Sequence, residues 1–303
     1  MSIIEHIMPA GISDDHDAAP PPLADAGMTR FKVAGESLSA YVEIGSGRPV
    51  LFLHGNSSTK SVWSRQVIVA REQGRTVIVP DLPGHGDSEN SPSPETTYSF
   101  PGYAAVIGAL LDALGIDPVD VVGWSLGGHI GLQLLATEDR VASLLITGAP
   151  PARPSVEALE QAFYATDDMK LAGKAGFSEA DALAYGTDMM GGSRFLIPEL
   201  LQSIKRTDGN ARRFMFANAL RGVGIDQRAA VMSIEKPLCV VHGELDPFVR
   251  LDYLSTIGYR ALWKDSIFVI SGAGHAPHWE QPVPFNRILA GFLRYTQEAK
   301  SPS

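Results

Sequence analysis

Residues 119–130, V-D-V-V-G-W-S-L-G-G-H-I, place Ser125 between two glycines directly after a short apolar run. The run V-D-V-V is β-branched and nearly continuous, which predicts a strand that is buried on both faces. Residues 129–137 follow a helical period, so Ser125 falls where a strand turns into a helix. A G-x-S-x-G motif in this context is typical of a nucleophile elbow, because small residues at Gly123 and Gly127 permit a very sharp turn. Ser125 is therefore a candidate nucleophile.

The patterns on either side of this turn predict the fold. Residues 29–34 and 37–44, T-R-F-K-V-A and S-L-S-A-Y-V-E-I, alternate apolar and polar side chains and predict an antiparallel hairpin. Short apolar runs predict buried strands before His54, Pro80 and Gly123, and at residues 144–147, 237–241 and 266–270. Helical segments between the strands, such as residues 103–114, favour right-handed parallel crossovers. We predict an α/β fold with a mostly parallel sheet of eight strands, an antiparallel start and helices on both faces.

Residues 151–236 differ, because they contain several helical patterns and no convincing strand. Ser155 begins one such pattern, and Ser178 begins another with Asp181 three residues later, close to a capping box. A helical insertion cannot extend the sheet, so we expect a lid over the carboxyl ends of the strands; extra helices at the sheet edge are the alternative. Residues 28–150 and 237–303 then form the core, and residues 1–27 an acidic, Pro-rich leader that is expected to be disordered.

Composition narrows the classes of function. The net charge is −9, but five carboxylates and no Lys or Arg lie in residues 1–27, so the remainder is only weakly acidic. This charge favours neither nucleic acid nor a membrane surface as a partner, and no apolar run approaches the roughly 18 residues of a membrane helix. The single cysteine, Cys239, lies in an apolar run and is expected to be buried in a strand. We expect a cytoplasmic protein with a small neutral substrate, no metal site and no cofactor.

A serine nucleophile needs a base and an acid that orients the base. Asp246 in V-V-H-G-E-L-D-P-F and His275 in S-G-A-G-H-A-P-H-W both follow predicted strands, at the edge where open α/β sheets place their sites. The order Ser, Asp, His predicts a catalytic triad of Ser125, Asp246 and His275. Glu244 and His278 are the alternatives for the acid and the base; the loop around His275 favours it, since W-E-Q-P after His278 resembles a helix start.

The oxyanion of such a reaction needs two N–H donors. Asn56, in L-F-L-H-G-N-S-S, is one candidate, because Gly55 allows the backbone to approach the substrate. The N–H of Trp124 or Leu126, on either side of Ser125, is the other. The remaining histidines in these motifs, His54, His85 and His129, are interpreted as structural or loop-supporting.

These residues resemble the α/β-hydrolase superfamily. The matching motifs are H-G-N-S-S, D-L-P-G-H-G-D-S, G-W-S-L-G-G-H-I, G-E-L-D-P-F and A-G-H-A-P, and they span residues 30–295. Haloalkane dehalogenases and epoxide hydrolases of this fold have Asp at the elbow, so Ser125 argues against both activities.

The chain is more closely similar to metal-independent N-acyl homoserine lactone lactonases of this fold. The less generic matches are Y-S-F-P-G-Y-A, L-I-T-G-A-P-P, R-T-D-G-N-A-R-R-F-M-F and D-P-F-V-R-L-D. The resemblance implies Ser125, Asp246 and His275 as the triad, with Asp246 where that family has a glutamate, and Asn56 as an oxyanion donor. It also implies that the lid residue Tyr185 contacts the polar head of the substrate.

The predicted function is therefore opening of the lactone ring of N-acyl homoserine lactones, which quenches quorum-sensing signals. A broader carboxylesterase, an arylesterase or a carbon–carbon bond hydrolase could use the same residues. A receptor that binds a small lactone on this fold is an alternative from a different class. The sequence leaves open the length of the acyl chain and the oligomeric state.

Overall fold

The computed structural model describes residues 3–8, 21–153, 155–166 and 170–298. Its strands are β1 (Ile4–Ile7), β2 (Met28–Val33), β3 (Glu36–Glu43), β4 (Gly47–Leu53), β5 (Arg75–Pro80), β6 (Val119–Trp124), β7 (Val141–Thr147), β8 (Leu238–Gly243) and β9 (Leu262–Ile270). They form a nine-stranded sheet in the order β1-β9-β8-β7-β6-β4-β5-β3-β2. Strand β3 is antiparallel to β2 and β5, whereas the other neighbours are parallel. The mostly parallel sheet with an antiparallel start is confirmed.

Helices fill the connections. They are α1 (Ser64–Glu72), α2 (Pro94–Thr97), α3 (Phe100–Leu114), α4 (Leu126–Thr137), α5 (Val156–Ala162), α6 (Glu179–Met189), α7 (Pro198–Arg206), α8 (Gly209–Leu220), α9 (Gln227–Ser233), α10 (Leu251–Ser255), α11 (Pro277–Glu280) and α12 (Pro282–Glu298), with short 3-10 turns at Asp25–Gly27, Lys60–Trp63 and Ser193–Phe195. Every residue of β5, β6 and β8 is buried, including Cys239, so both faces of the sheet are covered. Of the helices in the described ranges, none is long and apolar enough to cross a membrane.

Strand β1 is one strand more than the eight that the sequence predicts, and it shows that two predictions are wrong. The sequence predicts eight strands and a disordered leader, but Ile4–Ile7 pair in parallel with residues 267–270 of β9. The isoleucines at positions 3, 4 and 7 pack against the hydrophobic core, and this local pattern is masked by the Asp and Pro residues that dominate the composition of the leader. Residues 9–20 of the predicted leader lie outside the described ranges.

Helices α5 to α9 lie between β7 and β8, where the sequence predicts the helical insertion. The predicted cap of α6 is a full capping box, because the Ser178 hydroxyl accepts from the Asp181 N–H at 3.1 Å and the Asp181 carboxylate accepts from the Ser178 N–H at 2.7 Å. Side chains of α5, α6 and α8 line the cavity that contains Ser125. We propose from this position that residues 151–236 form a lid on a core of residues 28–150 and 237–303.

Candidate active site

Ser125 lies in a strained turn between β6 and α4. Its backbone has φ 52° and ψ −117°, a conformation that residues other than glycine rarely adopt. A Cβ atom at Gly123 would lie 2.4 Å from the carbonyl oxygen of Gly127, and one at Gly127 would lie 2.1 Å from that of Leu53. Both positions therefore need glycine, and the turn presents Ser125 at the N-terminus of α4.

His275 and Asp246 form a buried pair beyond the ends of β9 and β8. The Nδ1 atom of His275 lies 2.9 Å from Oδ2 and 3.1 Å from Oδ1 of Asp246. The carboxylate also accepts from the N–H groups of Phe248 at 2.8 Å and Val249 at 3.1 Å. Burial raises the pKa of Asp246, but the His275 ring and these hydrogen bonds outweigh it, and the pKa falls below its ordinary value. An ionised carboxylate only accepts, so Nδ1 carries the proton and Nε2 is available as a base.

Ser125 and His275 line the same cavity, which has a volume of about 270 Å³. The wall is mainly apolar and includes Phe100, Leu126, Leu159, Phe163, Met189, Met215 and Phe216. At its rim, Val156, Tyr164 and Leu220 are 44%, 43% and 41% exposed. The site is therefore suited to a ligand with one reactive polar end and a long apolar part.

Residues 54–59, which we call the β4 loop, form the side of the cavity next to Ser125. A Cβ atom at Gly55 would lie 2.9 Å from the Trp124 ring, so the loop backbone passes directly over that indole. Asn56 lines the cavity, and its backbone N–H meets no acceptor among the residues that the structure describes. Leu126 also lines the cavity and begins α4, so the helix itself does not use its N–H.

The side chain of Trp124 supports the backbone of His275. It is buried, and its indole N–H donates to the carbonyl oxygen of His275 at 2.9 Å. Its backbone belongs to β6, where it is paired with Thr147 of β7. Of the two predicted elbow donors, Leu126 is thus the one whose backbone is outside the sheet.

Tyr185 lies on α6 with its ring against the cavity and is 2% exposed. Its hydroxyl donates to the carbonyl oxygen of Asn56 at 3.4 Å, and the side-chain amide of Asn56 donates to the carbonyl of Ala172 at 3.0 Å. Burial raises the pKa of Tyr185, so the hydroxyl stays protonated. Tyr185 therefore joins the lid to the β4 loop, and its contact with a substrate stays a prediction.

The structure pairs His275, and not His278, with Asp246. His278 is fully buried and stacks on Trp63 with ring centroids 4.3 Å apart. Within the described ranges neither of its ring nitrogens has a hydrogen-bond partner, and burial lowers its pKa well below the ordinary value. Glu244, the alternative acid, is exposed and accepts from the N–H of Gly272 at 3.0 Å.

Glu280 supports residues 271–276, which we call the β9 loop, and sequence reasoning missed it. Its carboxylate accepts from the N–H of Gly274 at 2.6 Å and of Ala276 at 2.9 Å, the residues on either side of His275. Burial raises the pKa of Glu280 above its ordinary value. The signal that the sequence offered was an acidic residue five positions after the candidate base, at the start of an otherwise apolar helix.

Arg212 is a second residue that the sequence did not single out, although it lies in the motif R-T-D-G-N-A-R-R. It is 2% exposed, and its guanidinium donates to the Ser57 hydroxyl at 3.3 Å and to the carbonyls of Lys174 at 2.8 Å and Ala175 at 2.9 Å. The cation lies 4.0 Å from the centre of the Phe177 ring, and burial lowers its pKa. It therefore joins the lid to the β4 loop.

Comparison with known protein families identifies the family of this chain. The alpha/beta hydrolase fold family matches residues 48–282, and the chain belongs to that family and is a hydrolase of this fold. Among the described residues, no three His, Cys, Asp or Glu side chains are grouped so that they could hold a metal ion.

The chain is similar to several proteins of known activity or structure. The chain is similar to the N-acyl homoserine lactonase AidH, solved in complex with N-butanoyl homoserine: 37% identity, 91% of this chain and 99% of that chain covered, and a TM-score of 0.86. A mutant of AidH is solved with N-hexanoyl homoserine lactone. A 2-hydroxy-6-oxononadienedioate/2-hydroxy-6-oxononatrienedioate hydrolase of Dechloromonas aromatica is 28% identical over 84% of this chain and 90% of its own length. The enol-lactonase of Burkholderia xenovorans LB400 shares the fold, with 21% identity, a TM-score of 0.70, and 88% of this chain and 100% of that chain covered.

Proposed function

We propose that this protein is a serine hydrolase that opens the lactone ring of N-acyl homoserine lactones and so quenches quorum-sensing signals. The observation that carries the proposal is that Ser125 and the His275–Asp246 pair meet at one mainly apolar cavity. The similarity to AidH, at 37% identity over nearly its whole length, supports this class of substrate.

In the proposed acylation step, the Oγ atom of Ser125 bonds to the ring carbonyl carbon while Nε2 of His275 takes its proton. Asp246 holds the tautomer of the ring and stabilises the imidazolium cation. The N–H groups of Asn56 and Leu126 bind the oxyanion, each contributing about 10²- to 10³-fold to the rate. The ring C–O bond then breaks, and the imidazolium returns the proton to the leaving alkoxide.

Deacylation uses a water molecule, which gives its proton to His275 and its oxygen to the acyl carbon. The ester bond to Ser125 then breaks as the imidazolium returns the proton to the Oγ atom of Ser125, and N-acyl homoserine leaves. The leaving hydroxyl of the first step stays tethered to the acyl group, so it competes with water at a high effective concentration. A well-positioned water is therefore more important here than for an open-chain ester.

The cavity accounts for the rest of the substrate. An acyl chain gains roughly 0.8 kcal/mol for each methylene that it buries against apolar walls. Phe163, Met215 and Phe216 supply such walls, and the exposed apolar rim extends them towards solvent. This arrangement supports substrates with an aliphatic chain.

The test is to identify the bond that breaks. N-hexanoyl homoserine lactone incubated with the protein should give a product heavier by one water with its amide intact, and acidification should slowly close the ring and restore the lactone. The Ser125→Ala variant should be inactive but folded. Mass spectrometry that showed free fatty acid and homoserine lactone would make the protein an amidase and overturn the proposal.

A broader carboxylesterase is the second candidate, and the apolar cavity favours it because aryl and alkyl esters would fit the same walls. The 2-hydroxy-6-oxononadienedioate/2-hydroxy-6-oxononatrienedioate hydrolase of Dechloromonas aromatica extends the range of substrates among the relatives of this chain. A panel of aryl esters, open-chain esters and lactones at equal concentration separates these activities by kcat/KM. Ligand binding without any turnover would instead support the lactone receptor.

A further inference from the structure

One polar side chain deep in the cavity has no part in the proposed reaction. His129 lines the cavity and is 8% exposed, and its ring stacks on Phe100 with centroids 4.9 Å apart. Glu160 and Tyr164 are exposed at the rim, whereas His129 lies four residues after Ser125 on α4. The N–H of His129 bonds to the carbonyl of Ser125 at 3.1 Å, so the two residues are about one helical turn apart, roughly 6 Å along the axis.

A buried glutamine determines which ring nitrogen of His129 carries the proton. The side-chain amide of Gln227 donates to the carbonyl oxygen of His129 at 3.3 Å, which turns its oxygen towards the ring. That oxygen lies 2.9 Å from Nδ1. An amide oxygen only accepts, so Nδ1 is the donor. Burial lowers the pKa of His129 to about 4, and the neutral ring has a lone pair on Nε2 at neutral pH.

This lone pair has no donor among the residues that the structure describes. Nε2 of His129 has no hydrogen-bond partner in the described part of the chain, yet it is not sealed from solvent, unlike both ring nitrogens of His278. Since the residue lines the cavity, its accessible nitrogen opens there. The apolar wall thus contains one preoriented acceptor.

We propose that Nε2 of His129 accepts a hydrogen bond from the amide N–H of the substrate, and that His129 thereby selects N-acylated lactones over lactones without an amide. This inference rests on the proposed function and names the group that is recognised. The ring oxygen and both carbonyls of an unsubstituted N-acyl homoserine lactone only accept, and its amide N–H is its single donor. That nitrogen is two bonds from the carbonyl carbon that Ser125 attacks, so it stays close to α4 during the reaction.

The experiment compares N-hexanoyl homoserine lactone with its carba analogue, in which a methylene group replaces the N–H. The wild-type protein should open the natural lactone with a kcat/KM about two- to tenfold higher, which is the effect of one neutral hydrogen bond. His129→Phe keeps a flat ring against Phe100 but has no acceptor, so the two lactones should react at equal rates. Equal rates with the wild type, or a preference that persists in His129→Phe, would overturn the inference.

Two further variants separate recognition from folding. His129→Phe leaves the Gln227 amide without its ring partner, so the double variant His129→Phe with Gln227→Leu removes both polar groups and should show the same loss of preference. Gln227→Leu alone no longer determines which ring nitrogen of His129 carries the proton, so it should reduce the preference only in part. An unchanged preference would contradict the proposed role of Gln227. If the wild type opens neither lactone, the proposed function fails, and this inference fails with it.

Discussion

The β4 loop and the β9 loop meet at the same cavity, but they are held by different parts of the molecule. Hydrogen bonds from the core hold the β9 loop around His275. Hydrogen bonds from the lid hold much of the β4 loop around Asn56. The difference separates two tasks of the proposed reaction: proton transfer and the Leu126 oxyanion donor depend on the core, whereas the Asn56 oxyanion donor depends on how the lid sits.

The contacts of the two loops differ in strength as well as in origin. The Glu280 carboxylate bonds two N–H groups of the β9 loop at 2.6 and 2.9 Å, and charged acceptors form the stronger hydrogen bonds. The lid and the β4 loop are joined by two long bonds, from Tyr185 at 3.4 Å and from Arg212 at 3.3 Å, and by a shorter one from the Asn56 amide to the Ala172 carbonyl at 3.0 Å. Asp81 anchors the far end of the β4 loop to the core, because it accepts from the Thr59 hydroxyl at 2.8 Å and forms a buried ion pair with the next residue, Lys60, at 2.5 Å. Substitutions in the core should therefore affect the rate more than substitutions in the lid.

The largest expected effect separates two histidines three residues apart. His275→Ala should lower kcat by about 10⁴-fold or more, because it removes the base of the proposed triad. His278→Ala should keep most of the activity but lower the Tm, since its ring packs between Trp63 and Trp124. Steady-state kinetics and thermal unfolding on both variants test this. Equal losses of kcat would contradict the assignment of His275.

Glu280→Gln tests whether the core holds the β9 loop in its active position. A glutamine can accept from one of the two N–H groups, but its NH₂ opposes the other. A hydrogen bond to a charged group contributes roughly 1.5 to 3 kcal/mol, so kcat should fall by about 10- to 100-fold with little change in KM.

Glu244→Gln is the matched control for that prediction. Its carboxylate also accepts from an N–H of the β9 loop, that of Gly272, but it is exposed and water can replace it. We expect less than about a twofold change in kcat. If Glu280→Gln and Glu244→Gln lowered kcat by the same factor, the burial of Glu280 would not explain its effect on the rate.

The contacts of the core were more predictable from the sequence than those of the lid. Strand patterns are local, so the ends of β6, β8 and β9 could be located, and with them Ser125, Asp246 and His275. Strand β1 was missed because its apolar pattern is only four residues long, and the Asp and Pro residues around it dominate the composition of the segment. Glu280 was missed because H-W-E-Q-P indicates a helix start equally well.

The lid contacts depend on pairs that are far apart in the chain. Arg212 and Ser57 are separated by 155 residues, and Tyr185 and Asn56 by 129. Helical periodicity predicts which face of α6 or α8 is apolar, but not how far a long side chain reaches across to a loop. The resemblance pointed to Tyr185, and only the structure shows which backbone atom its hydroxyl meets.

Arg212→Met tests the lid side of the comparison. Methionine fills similar space but leaves the carbonyls of Lys174 and Ala175 and the Ser57 hydroxyl without their donor. We expect kcat/KM to fall about tenfold, in line with roughly 1 to 3 kcal/mol for unsatisfied buried groups, together with a lower Tm. Arg213→Met, at the exposed neighbouring position, is the control and should change neither. If Arg212→Met lowered the Tm but left kcat/KM unchanged, Arg212 would contribute to the stability of the fold and not to the reaction.

The smallest expected effect is that of Tyr185→Phe. The variant loses the bond from the hydroxyl to the Asn56 carbonyl, and at 3.4 Å this bond is long. A typical hydrogen bond contributes about 0.5 to 1.5 kcal/mol, and the low end of that range corresponds to roughly a twofold loss. The loss should appear in kcat, because the bond supports the loop that binds the oxyanion.

Tyr253→Phe is the control, since that hydroxyl also donates to a backbone carbonyl, that of Pro151 at 2.8 Å, but outside the cavity. Tyr253→Phe should lower the Tm with kcat unchanged. If Tyr185→Phe instead raised KM and left kcat intact, the hydroxyl would bind the substrate directly, as the lactonase resemblance implies, and the β4 loop would not depend on it.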